Sequence, residues 1–69
     1  MQNLPVNSRI VKEVYFSQDD GELRIRFHSG DERRFTGVPK KEAIAMCESG
    51  SPGNYYIAHI RRRFTALAA

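Results

Sequence analysis

Glu22, Leu23, Arg24, Ile25, Arg26, Phe27 and His28 alternate between polar and apolar without a break. A period of two fits a half-buried strand: Leu23, Ile25 and Phe27 face one way, Glu22, Arg24, Arg26 and His28 the other. Such a strand needs partners and a layer over its apolar face. Residues 8–16, rich in Ile, Val, Tyr and Phe, read as a strand before it. Ile10, Val14 and Phe16 would share one face, Val11 and Tyr15 the other. Residues 18–21, QDDG, suit the turn between them.

Residues 32–38 return as a third strand, and the facing rule selects its register. A two-residue loop, Ser29-Gly30, would set Phe27 opposite Glu32 and Ile25 opposite Arg34, placing charges on the apolar face. A three-residue loop, Ser29-Gly30-Asp31, pairs Phe27 with Arg33 and Ile25 with Phe35 and keeps Phe35 in the core. Gly30 supplies the backbone angle that such a loop wants. Arg33 then sits on the core-side face, where its head reaches water near the sheet end.

Pro39 stops the sheet and opens a helix over residues 39–48, with Ala43, Ile44 and Cys47 on its apolar side. Ser51-Pro52 is a second helix start, a cap followed by proline. The second helix is expected over residues 52–65, its period continuing into Ala66, Leu67, Ala68 and Ala69. Tyr56, Ile57, Ile60, Phe64 and Leu67 fall on one arc and form its core stripe. The predicted architecture is α+β: a three-stranded antiparallel meander followed by two helices packed on one face (βββαα). Residues 1–7, polar and without a period, are expected to be a flexible leader, and residues 8–69 a single domain. With 69 residues, a chain buries only roughly 60% of its unfolded surface, which leaves no room for a second core.

Cys47 is the single cysteine, so no internal disulfide can form, and a lone thiol suits a reducing compartment. No apolar run approaches the roughly 20 residues of a membrane helix. Residues 1–10 lack the apolar core of a secretion signal. The expectation is a soluble cytoplasmic protein with no membrane partner. His28 and His59 are far apart and no paired Cys motifs exist, so no zinc site or other cofactor is expected. No serine or cysteine comes with a spaced histidine and acid, and SGSPG lacks the strand and lysine of a phosphate loop. The chain reads as no enzyme, with no small-molecule substrate.

Net charge is +3, and residues 51–69 hold three arginines and no acid. Around the second helix, Tyr55, His59 and Arg62 share the outer side while Arg61 and Arg63 flank the core stripe. Arginine forks and an exposed tyrosine fit an acidic ligand or a stacked base. A solvated face with arginines near a helix C-terminus fits the same letters. Arg24, Arg26 and Arg34 form a second candidate row on the polar face of the sheet, with Arg26 expected opposite Arg34. Glu13, Glu22 and Glu32 could neutralise that row.

From SPGNYYIAHIRRRF onward the chain resembles the KTSC domain, a module found at the C-terminus of some lysyl-tRNA synthetases and as a free-standing small bacterial or phage protein. Its pattern of a serine and an Ile-rich strand ending in tyrosine matches Ser8, Ile10 and Tyr15. Its L-x-I-x-F strand and glycine match Leu23, Ile25, Phe27 and Gly30. A central Y-x-Y before V-P falls on Arg33, Arg34, Phe35, Val38 and Pro39, and S-x-G-x-Y-F with a later Ile-Arg and aromatic on Ser51, Gly53, Tyr55, Tyr56, Ile60, Arg61 and Phe64. The departures are Arg33 and Phe35 in place of the two tyrosines. The resemblance implies the fold and an RNA-binding role. The leading expectation is a binding module for nucleic acid, RNA before DNA, using Tyr55, His59, Arg61, Arg62, Arg63, Arg24, Arg26 and Arg34. The alternative is a protein-binding regulator that docks on an acidic surface of bacterial RNA polymerase or the translation machinery.

Overall fold

The computed structural model describes residues 1–67. The sheet has five antiparallel strands in chain order: β1 (Gln2–Leu4), β2 (Val11–Ser17), β3 (Glu22–Phe27), β4 (Glu32–Thr36) and β5 (Thr65–Ala66). The expected three-stranded meander is its centre, and the correction lies at its two edges. Gln2 pairs with Phe16 and Leu4 with Val14, so β1 occupies the stretch expected to be a leader. Leu4 is buried on the face it shares with Val14. At the far edge Ala66 pairs with Phe35 and Thr65 with Thr36, and the Leu67 amide donates to the Arg34 carbonyl at 2.8 Å. Both added strands are too short to display alternation. As very short edge strands they limit the open backbone that each edge of the sheet presents.

A bulge in β2 decides which of its residues are inside. Val11 pairs with Phe27 but Glu13 with Arg26, so the register shifts by one residue. The extra residue carries Val11 to the core face with Val14 and Phe16, all three buried. Ile10 is left 51% exposed, the reverse of the alternation expected for residues 10–16.

The β3–β4 hairpin turns over three residues, His28, Ser29 and Gly30, because Phe27 N–H donates to the Asp31 carbonyl at 2.9 Å. Gly30 takes the positive φ, 98°. The observed register sets Leu23 opposite Phe35, Ile25 opposite Arg33 and Arg24 opposite Arg34. It lies two residues from the expected one. A slip of two preserves every face, so Phe35 is in the core and Arg33 on the core-side face as expected. Arg26, however, stands opposite Glu32 and not Arg34.

Helix α1 (Lys40–Glu48) follows Pro39, which is extended and sits just outside it. Ala43 and Met46 are its buried residues. The long second helix is not there. Helix α2 (Pro52–Tyr55) runs into a π-helical turn (Tyr56–Ile60), and the chain turns away toward β5. Ser51 precedes Pro52 at the cap position, but its side chain makes no capping bond. The wider turn breaks the 100° spacing on which the core stripe was drawn. Tyr56 and Ile60 are buried, but Ile57 is 53% exposed. Phe64 and Leu67 are half-buried, Leu67 beside β4 and not on a helix. The continuation of the period into Ala68 and Ala69 lies outside the described residues. One core joins the layers: Val14, Leu23, Ile25 and Phe35 from the sheet against Ala43, Met46, Tyr56 and Ile60. Phe35 and Tyr56 meet edge to face with centroids 5.8 Å apart.

Candidate functional site

The outer face of the sheet carries Arg24, Arg26 and Arg34 as expected, and each is met by a glutamate. Glu22 Oε2 lies 3.3 Å from Arg24 and 3.2 Å from Arg34. Glu32 lies 3.4 Å from Arg26 and 3.8 Å from Arg24, and Glu13 lies 3.7 Å from Arg26. Three arginines against three glutamates leave this face without net charge. Tyr15 joins it through a hydrogen bond to Glu13, which raises its pKa.

The C-terminal candidates separate. Tyr55 and His59 lie together, rings tilted with centroids 4.5 Å apart. Tyr55 OH donates to Glu42 on α1 at 2.8 Å, a bond that raises its pKa. Arg63 reaches the same carboxylate at 3.6 Å and lies over the Phe64 ring. This pair ties the end of α2 and the exit of the π-helical turn to α1. Arg62 is exposed. Arg61 points elsewhere, into a cleft of about 520 Å³ between the start of β2, the hairpin tip and the π-helical turn.

Three local features build that cleft. Ser8 Oγ accepts from the Ile10 and Val11 amides, both at 3.1 Å, and so folds the segment before β2. The His28 amide donates to the Ile10 carbonyl at 2.9 Å, and His28 Nε2 lies 3.1 Å from the Ser8 carbonyl, tying that segment to the hairpin. Gly53 lies bare against Ile10, whose side chain occupies the space a Cβ would need. Ile10 and Ile57 are the walls, and Phe27 and Tyr56, edge to face at 5.3 Å, form the floor. The π-helical turn matters here. The Arg61 amide donates to the Tyr56 carbonyl five residues back, at 2.9 Å, and Ile57 and Arg61 both line the cleft.

Arg9, Arg33 and Arg61 line it with His28, Ser29 and Asp31. Among the described residues, no carboxylate lies within 4.0 Å of any of the three arginines. Arg33 spends one donor on the Glu32 carbonyl at 3.0 Å. Against one carboxylate, Asp31, the cleft has an excess of two positive charges. Guanidiniums beside apolar walls can grip a phosphate or carboxylate whose carrier is itself apolar.

Of the eight residues expected to bind, only Arg61 lines this cleft. Arg9 lies just before β2 and Arg33 on β4, far apart in the chain, so no local pattern groups them. The legible signal was Arg33, a charge on the core-side face with no acid to match it. At the Y-x-Y positions, Arg33 lines the cleft and Phe35 is core, so the two departures fall in different environments. Cys47 is half-buried on α1, and burial pushes its thiol from 9.0 to about 11, away from nucleophilic use. Among the described residues no group of three or more His, Cys, Asp or Glu could hold a metal, and no helix is long and apolar enough to cross a membrane.

A family model described as KTSC domain matches residues 7–64. No curated protein matches the sequence. Among solved structures, the chain is similar to a KTSC domain protein from Yersinia pestis, with a TM-score of 0.85 at 22% identity, covering 99% of this chain and 96% of that one.

Proposed function

The chain belongs to the KTSC domain family, and from that premise we propose that it is a non-enzymatic cytoplasmic module that binds single-stranded RNA through the cleft. The observation that carries the reading is the sorting of arginines. Arg24, Arg26, Arg34 and Arg63 are matched by glutamates, whereas Arg9, Arg33 and Arg61 line a cleft of mixed polar and apolar walls with no such match among the described residues. Single-strand binders combine cations for the phosphates with apolar or aromatic surface for the bases. A duplex hides its base faces and offers the cleft only phosphates.

A second reading has one observation in its favour. Ile10 and Ile57 are half-exposed aliphatic walls, which suit an apolar side chain on an acidic protein segment, such as one from RNA polymerase or the translation apparatus. Fluorescence anisotropy with an unstructured RNA of roughly 12 nucleotides and with an acidic peptide bearing one leucine separates the two. RNA binding that weakens with salt and with Arg33→Gln supports the first. Peptide binding with no RNA binding supports the second.

A further inference from the structure

We infer that the cleft seats one unpaired nucleotide, its base against Phe27 and Ile57 and its phosphate on Arg9, Arg33 and Arg61. The inference rests on the RNA reading and deepens it by fixing how much of a strand the protein holds.

Size is the first argument. At about 520 Å³ the cleft falls within the roughly 300–1,000 Å³ of small-ligand pockets. That suits a nucleotide and is far too small for a duplex. Chemistry is the second. Apolar floor and guanidiniums are adjacent, and a nucleotide carries a flat base and an anion within one unit. Charge continuity is the third. A protein that tracks a long strand needs a continuous basic groove. Here Glu13, Glu22 and Glu32 neutralise the outer sheet face, and Glu42 holds Arg63. Lys40 and Lys41 stand on α1, away from the cleft. Among the described residues, Arg9, Arg33 and Arg61 share this cleft without a carboxylate partner, while Arg62, also without one, is exposed outside it.

The same chemistry is offered by a free nucleotide and by an unpaired residue of RNA, and titration separates them. The probes are AMP, adenosine and oligoadenylates from two to roughly 12 nucleotides. The inference predicts that AMP binds directly and displaces the longest oligonucleotide, with adenosine at least about tenfold weaker for want of the phosphate. Affinity should level off after about two or three nucleotides. One neutralised phosphate gives a log–log salt slope of about −0.7 for single strands, the same for short and long ones. Arg33→Gln and Arg61→Gln, both exposed, should weaken AMP and the oligonucleotide by the same factor. AMP binding without oligonucleotide binding would keep the nucleotide pocket and overturn the RNA reading. Affinity and salt slope that climb with length, with no competition by AMP, would overturn the inference and leave the RNA reading standing. No binding of either would overturn both.

Discussion

Ile10 packs on the bare backbone of Gly53: a methyl group there would lie 2.9 Å from Ile10 Cδ1 and 3.2 Å from its Cβ and Cγ2. This contact lets the segment before β2 approach α2 and gives the cleft its wall. Gly53→Ala gains some helix propensity, up to about 1 kcal/mol, but forces the Ile10 side chain away at a cost of about 1–3 kcal/mol. A net loss of about 1 kcal/mol is expected in urea unfolding. Adding Ile10→Ala should recover part of it, because the double variant removes the Cδ1 and Cγ2 contacts and leaves only the one to Cβ at 3.2 Å. Additive losses would mean that the two residues do not press on each other.

Ser8 holds the same segment by accepting from two backbone amides with one hydroxyl. Ser8→Ala should cost about 1 kcal/mol of stability and lower ligand affinity as Arg9 loses its placement. Ser8→Thr keeps the hydroxyl and should restore both. An alanine variant with unchanged urea midpoint would remove Ser8 from this role.

Glu22 bridges two arginines that face each other across β3 and β4. Glu22→Gln leaves Arg24 and Arg34 in repulsion, an expected loss of roughly 0.5–1 kcal/mol after solvent screening. The loss should shrink at about 0.5 M salt. Arg24→Gln and Arg26→Gln should leave RNA affinity within about twofold, since their charges are already matched. A larger fall would return the outer sheet face to candidacy.

Cys47 sets an alkaline limit. Burial raises its thiol from 9.0 to about 11, so the folded protein keeps a proton that the unfolded chain has lost. Its contribution is whole below about pH 9 and is lost as pH rises through about 11. Tyr15 and Tyr55, both raised from 10.0, act with the same sign at high pH. Urea midpoints at about pH 8 and about pH 10.5 should therefore fall, and fall less in Cys47→Ala. At the lower pH the thiol should alkylate slowly until denaturant exposes it.

The central strands, their hairpin glycine and α1 were legible because each carries a period long enough to read. The alternation of Glu22 to His28 alone implied a partner strand and a covering layer. β1 and β5 were not legible, being three and two residues long and formed by pairing, not by their own pattern. Ile10 and Val11 were assigned to the wrong faces because a bulge is invisible to strict alternation. Ile57 was assigned inside because a π-helical turn departs from 3.6-residue spacing. The cleft was the least legible feature. Tyr55, His59 and the three consecutive arginines are adjacent in sequence, yet Tyr55 and Arg63 serve Glu42 and only Arg61 faces the cleft. Its other cations, Arg9 and Arg33, lie far apart in the chain, and only the fold brings them together.

The most direct test is to map, by amide and side-chain chemical shifts, where a short single-stranded RNA lands on the protein. The expected perturbations gather at Arg9, Phe27, Arg33, Gly53, Ile57 and Arg61, and Arg33→Gln abolishes most of them. Perturbations centred on Tyr55, His59 and Arg62, or on the paired arginines of the outer sheet face, would contradict the assignment of the cleft as the binding site.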